Sequence, residues 1–234
     1  MLISQVAGGN GTPLWWAALQ GHKDVVELLI QKGANIYGDP NCEQEAYKNR
    51  HFFEKSTPLW LAAFQGYIDI MELLVINGAN PEIGLEGLPP ITAASAEGQH
   101  QAVELLLQMG VDVNTQDDEG VTALDLSIMM GNKATVDLLI KKGADLERRS
   151  PGEQHFYGGH DDIAEILISN GADIEASDCF GQTPLWEACH YRRTGLVEIL
   201  LRSGANTEVR DWQGRTPLMI AVKEGHTDVV KILT

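Results

Sequence analysis

Apolar residues occur along this chain in short bursts, not in long runs. The segment from His22 to Gln31 places Val25, Val26, Leu28 and Leu29 on one stripe at helical spacing, with Asp24 and Glu27 outside it. A shorter segment precedes it, TPLWWAALQG, which predicts a helix of its own. Thr12 supplies a capping hydroxyl, and Pro13 stands at the first helical position, where its missing N–H costs nothing. Ala17 and Ala18 are small enough for another helix to approach closely. Gly21 provides the left-handed residue that ends the first helix, and Gly33 ends the second. Isolated helices shorter than about 12–15 residues are marginal in water, so neither predicted helix stands alone.

The chain repeats this pattern. TPLWWAALQGHKDVVELLI at 12–30 returns as TPLWLAAFQGYIDIMELLV at 57–75. The opening dipeptide, or its substitute, occurs at Thr12-Pro13, Thr57-Pro58, Pro89-Pro90, Thr122-Ala123, Ser150-Pro151, Thr183-Pro184 and Thr216-Pro217. Successive markers lie 45, 32, 33, 28, 33 and 33 residues apart. After each marker come small residues, a Gly or its equivalent, and a leucine-rich run. Most copies close on Gly-Ala-Asp or Gly-Ala-Asn, as at Gly33-Ala34-Asn35, Gly143-Ala144-Asp145 and Gly204-Ala205-Asn206. A period of this length marks an array in which each copy covers the apolar face of its neighbours.

TPLWWAALQGHKDVVELLIQKGAN and GRTPLMIAVKEGHTDVVKIL resemble ankyrin repeats, whose pattern is TPLHxAA, then GH, a leucine run and GAD. The resemblance covers almost the whole chain. It implies an all-α fold: one ankyrin-repeat domain over 1–234, a solenoid of about seven helix-turn-helix units with a concave inner face. The units begin near 12, 57, 89, 122, 150, 183 and 216.

Departures from the pattern carry their own expectations. The family's histidine after Thr-Pro-Leu is replaced by Trp15, Trp60 and Trp186, and elsewhere by Thr92, Asp125 and Met219. The indoles are expected to pack between helices and not to form a ligand platform. A long insertion, 36–56, carries Tyr37, Tyr47, Phe52 and Phe53; contact with a partner or packing over the inner face on one side, and disorder on the other, are equally open for it. The fifth unit is degenerate over 146–160, where Gly152, Gly158 and Gly159 weaken a first helix and suggest a bend or hinge. Neither end of the array has an obvious polar cap, which suggests a segment of a larger protein or a partner over the ends.

The sequence has 234 residues, 44% hydrophobic, with a net charge of −16 and a pI near 4.7. Acidity of this order repels phosphate backbones and attracts basic partners, so no nucleic acid is expected. No apolar run is long enough to span a bilayer, so no membrane insertion is expected either. Cys42, Cys179 and Cys189 are scattered, form no CxxC pair and follow no signal peptide, which reads as reduced thiols in an intracellular protein, cytoplasmic or nuclear. No cofactor, metal site or catalytic motif is found, and an enzyme is not expected. Asp117-Asp118 and Asp161-Asp162 read as a loop and a helix N-terminus, His22 and His226 as structural hydrogen-bonding groups, and Cys189 as a small residue of the packing face.

Within the resemblance, partners lie against first helices and loop tips. Carried over residue by residue, this gives Leu19, Phe64, Gln65, Met129, Met130, Phe180, His190, Tyr191 and Trp212 as candidate partner-binding residues, with Tyr157 if the fifth helix forms. Acidic tips such as Asp117, Asp178 and Asp211 accompany them, so the expected partner is a protein segment with apolar anchors and basic residues. Asn114, with Leu106 eight residues earlier, also resembles an asparagine hydroxylation site of some ankyrin repeats, although the preferred reading is that it simply supports the loop. The expected function is a non-catalytic protein-interaction scaffold; the alternative is a structural subunit built permanently into a larger assembly.

Overall fold

The computed structural model describes residues 12–37, 56–85, 87–146 and 160–234. Tyr157, the first segment of the fifth unit and most of the 36–56 insertion lie outside the described residues. The described chain is helical: α1 (Pro13–Leu19), α2 (Lys23–Gln31), α3 (Pro58–Gln65), α4 (Ile68–Ile76), α5 (Pro90–Ala96), α6 (His100–Gln108) and α7 (Ala123–Met129). There follow α8 (Lys133–Lys141), α9 (Asp161–Ser169), α10 (Pro184–His190), α11 (Thr194–Arg202), α12 (Pro217–Glu224) and α13 (Thr227–Leu233). Extended pairing among the described residues is confined to isolated bridges, Leu85 with Leu88 and Gln116 with Thr122. The chain divides into two compact units, Met1–Ser127 and Ile128–Thr234.

Local chemistry sets the helix ends. The hydroxyls of Thr12, Thr57, Thr183 and Thr216 accept from the backbone N–H three residues on, at 3.2, 3.1, 3.4 and 3.3 Å. At α7 the cap is reciprocal: Thr122 Oγ1 accepts from Asp125 N, while the buried Asp125 carboxylate accepts from Thr122 N and Oγ1. Left-handed residues then turn the chain into the second helix, with Gly21 at φ 74° and Gly66 at φ 77°. In the sixth repeat that position is held by Arg192 at φ 58°, the one described residue other than glycine with positive φ. Such a conformation strains a residue with a Cβ; here the Arg192 guanidinium reaches Asp228 at 3.0 Å.

Hairpins pack side by side through both of their helices. In the first unit α1, α3 and α5 lie against one another in turn, as do α2, α4 and α6. In the second unit α9, α11 and α13 form one such row, and α10 packs on α12. Ala17, Ala18, Ala62, Ala63 and Ala94 are fully or almost fully buried, which lets the first helices approach. Trp15, Trp60 and Trp186 are buried between hairpins, as expected for packing groups: Trp15 and Trp60 share a cluster with Leu61 and Ala93, and Trp186 shares one with Cys189 and Ile220.

The apolar stripe expected on α2 is only partly inside. Val26 is buried and Leu29 half-buried, whereas Val25 and Leu28 are exposed. The equivalent residue to Val25 in α4, Ile70, is buried because α2 packs on that side of the hairpin. Helix α2 itself packs on α1 and α4, and neither covers Val25. Replacing Trp60 by Ala is therefore expected to cost about 3–5 kcal/mol in urea unfolding, and Val25→Ala less than about 1 kcal/mol.

Candidate functional site

Three loop tips preceding first helices are built alike. Asp117, Asp178 and Asp211 each donate a backbone N–H to the carbonyl four residues on, Val121, Gln182 and Arg215, at 3.0, 3.0 and 3.1 Å. In each, the Asp Oδ1 accepts two backbone N–H bonds inside the turn. Those to Asp117 come from Glu119 and Val121, at 2.9 and 2.8 Å. Those to Asp178 come from Phe180 and Gln182, at 2.8 and 2.7 Å. Those to Asp211 come from Gln213 and Arg215, both at 2.9 Å. Each carboxylate thereby holds its own turn together, as an Asp side chain readily does; Asp117 and Asp178 are half-buried and Asp211 is buried.

Asp211 is the most committed of the three. Burial opposes its ionisation, but the Arg215 side chain at 2.6 Å and the N–H groups of Arg215 and Gln213 outweigh burial and hold its pKa below the usual value. Arg215 also lies over the Trp186 ring, 5.2 Å from its centroid. The turn so fixed projects Trp212, which is 74% exposed, against Phe180 of the neighbouring tip, 52% exposed. The rings meet edge to face at 5.3 Å, and Trp212 N donates to Phe180 O at 3.0 Å. Two large aromatic rings thus stand together in solvent on a hydrogen-bonded support.

The helix-end candidates are placed as follows. Tyr191 is exposed and His190 half-buried; their rings lie edge to face at 4.6 Å, and His190 in turn lies 5.3 Å from Trp186. His226 Nε2 bonds His190 O at 3.0 Å, a structural contact of the kind expected for that histidine. Met129 and Met130 are exposed at the end of α7. Leu19, Phe64 and Gln65 are half-buried. Leu19 and Phe64 pack against the Trp15–Trp60 cluster, and Phe64 stacks on Trp60 at 5.2 Å. Phe180, His190, Tyr191 and Trp212 therefore belong to one compact unit, and Leu19, Phe64 and Gln65 to the other.

Charge is divided unevenly. Between Lys55 and Lys133 the sequence contains no Lys or Arg. In the first unit the one ion pair among the described residues is Lys23–Asp69, at 3.0 Å. Among the described residues the second unit pairs more of its acids, in Lys133–Asp162, Lys141–Asp137, Arg192–Asp228, Arg202–Glu165, Arg215–Asp211 and Lys223–Glu224.

No group of three or more His, Cys, Asp or Glu that could hold a metal is present among the described residues, and no described helix is long and apolar enough to cross a membrane. Cys189 is fully buried, and burial pushes its thiol up to about 12. Asn114 sits in a turn where its N–H donates to Asp112 Oδ1 at 3.0 Å.

A family model described as ankyrin repeats (3 copies) matches residues 2–85, 59–150 and 155–234. The chain is 34% identical over 101 residues to the E3 ubiquitin-protein ligase Ufd4 of Drosophila melanogaster, covering 42% of this chain and 4% of that protein. It is 37% identical over 79 residues to protein phosphatase 1 regulatory subunit 27 of Mus musculus, covering 32% of this chain and 51% of that one. The chain thus spans at most about half the length of these relatives. Its structure matches the ankyrin repeat domain of Bcl-3, a member of the IkappaB protein family, with a TM-score of 0.76 and 26% identity over 95% of this chain and 97% of that one.

Two measurements probe the supports. A buried thiol that resists ionisation stabilises the fold fully below its unfolded value of 9.0, and that contribution is lost as pH rises toward about 12. Cys189→Ala should therefore lose less stability than the parent between pH 9.0 and about 12, in denaturant titrations at each pH. Asp211→Asn removes the Arg215 partner and is expected to cost about 1–3 kcal/mol, with a shift in Trp212 fluorescence. The Asp211 contribution is present above its unfolded value of 3.8 and fades as pH falls through the lowered folded value, so the gap between variant and parent should narrow in acid.

Proposed function

The chain belongs to the ankyrin-repeat family, and from that membership we propose that it is a non-catalytic module which binds a segment of a partner protein on its first-helix ends and loop tips. Ankyrin repeats mediate protein–protein interaction, and this chain offers the contact chemistry such recognition uses. The observation that carries the reading is the Phe180–Trp212 pair. The fold leaves both rings largely in water while spending a hydrogen-bonded Asp turn on the position of each. Exposed Trp and Tyr are the residue types that dominate interface energetics, because they offer large rigid area with little entropy to lose. Tyr191 and the Met129–Met130 pair supply further apolar contact in the same compact unit.

The acidic balance favours a basic segment. The stretch without Lys or Arg carries Glu82 and Glu97 exposed, so cationic side chains of a partner gain there without displacing a Lys or Arg of this chain.

A fluorescently labelled peptide array of basic segments bearing leucine or aromatic anchors tests the reading. Peptides that bind are expected to lose about tenfold or more in affinity with Trp212→Ala or Tyr191→Ala. Raising salt should weaken them without abolishing binding, since apolar anchors are not screened. Unchanged affinity in both variants, or binding that vanishes in moderate salt, would overturn the proposal.

A further inference from the structure

Three indoles occupy one position of the repeat, and their N–H groups meet different surroundings. Trp15 Nε1 donates to Ser56 Oγ at 3.1 Å, and Trp60 Nε1 donates to the Leu88 carbonyl at 3.0 Å. Ser56 and Leu88 each immediately precede the marker of the next hairpin, Thr57 and Pro89. The residue so placed for Trp186 is Arg215, ahead of Thr216. Its guanidinium lies over the face of the indole and bonds the Asp211 carboxylate at 2.6 Å. Trp186 is 3% exposed, and its Nε1 is buried with no hydrogen-bond partner among the described residues.

A second difference lies one helical turn further on. Phe64 stacks on Trp60, whereas the equivalent ring beside Trp186 is His190, 5.3 Å away. Phe64 brings no polar atom; His190 brings Nδ1, which is likewise buried with no hydrogen-bond partner among the described residues. Glu224 Oε1 stands 3.8 Å from that Nδ1, beyond hydrogen-bond length, and takes Lys223 Nζ at 3.2 Å. Buried polar atoms are almost always bonded, and one left unbonded costs stability. Here two such atoms belong to residues four apart on α10, which share one face of the helix. Solvent reaches the side chains around them: those of His190, Glu224 and Arg215 are 33%, 32% and 24% exposed.

We propose that Trp186 Nε1 and His190 Nδ1 form a subsite for a primary carboxamide, the side chain of an Asn or Gln in the partner segment. The inference rests on the partner-binding reading above and adds the residue type that this part of the surface selects. Donor and acceptor chemistry narrows the choice. Trp186 Nε1 only donates, so the occupant presents an acceptor to it. Nδ1 of a neutral imidazole with its proton on Nε2 accepts, and so does the Glu224 carboxylate, so the same occupant presents N–H groups beside its acceptor. A carboxylate has no N–H, and an ammonium has no acceptor. A backbone amide has both, but its trans geometry points them in opposite directions. A primary carboxamide carries its C=O and two N–H groups on one planar head, with one N–H on the same side as the oxygen. Arg215 is engaged by Asp211 and adds no free cation that would favour an acid. Entry requires the partly exposed His190 ring to turn about its own side chain, while the Trp186 ring keeps its packing role.

Indole N–H signals in proton–nitrogen NMR spectra of the full chain test this, with propanamide, N-methylacetamide and sodium propionate as probes. The Trp186 signal is identified by its loss in Trp186→Phe. It is expected to shift saturably with propanamide, at about tenfold lower concentration than with either other probe. His190→Phe, which restores the ring found beside Trp60, should lose that response. Circular dichroism checks the fold of both variants, and the parent's own selectivity among the three probes decides if either unfolds. Among peptides that bind, exchanging the engaged Gln or Asn for Leu is expected to cost about tenfold in the parent and less than about twofold in His190→Phe. A Trp186 N–H that gives no saturable shift with propanamide, or shifts equally with N-methylacetamide or propionate, overturns the proposal and leaves loop-tip binding, read by Trp212→Ala, untouched. A selective propanamide response without any bound peptide sustains the carboxamide subsite and overturns the partner-segment reading instead.

Discussion

Lateral contact between hairpins is the interaction on which everything else in this molecule depends. Its described helices run seven to nine residues, below the length at which a helix holds in water by itself. Each therefore owes its stability to apolar area removed from water against a neighbour. The Ala pairs of the first helices permit the approach, and the indoles of Trp15, Trp60 and Trp186 fill the space above them. Within each compact unit the described hairpins pack on their neighbours, so stability there is summed from hairpin to hairpin instead of being drawn from one central core. The Thr caps and left-handed glycines add local economies that fix where each helix starts and stops.

That arrangement separates what holds the fold from what is free to recognise. Residues committed to the row point sideways into neighbouring hairpins. Helix ends and loop tips point away from the row, so Phe180, Trp212 and Tyr191 can vary without opening a cavity in it. Yet a recognition tip must not be floppy, since ordering it on binding would cost affinity. Asp178 and Asp211 meet that need locally: their carboxylates accept four short bonds from backbone N–H groups and pin two turns, and a backbone bond between the tips aligns their rings.

Much of this was legible in the sequence because its causes are local. A Thr-Pro pair caps and starts a helix wherever it falls, and an indole three residues beyond the Thr is carried to the same buried position each time, as Trp15, Trp60 and Trp186 are. The all-helical repeat fold follows from such signals. What escaped depends on neighbours that a repeat pattern does not reveal. Val25 carries the same apolar character as Ile70, but its burial is decided by what packs beside α2. The turn-holding role of Asp117, Asp178 and Asp211 has a local signal, Gly three residues later in each case, but the two N–H bonds that each carboxylate accepts are visible only in three dimensions. Arg192 at a left-handed position broke the glycine rule in plain view, and its compensation, the bond to Asp228, is visible only in three dimensions.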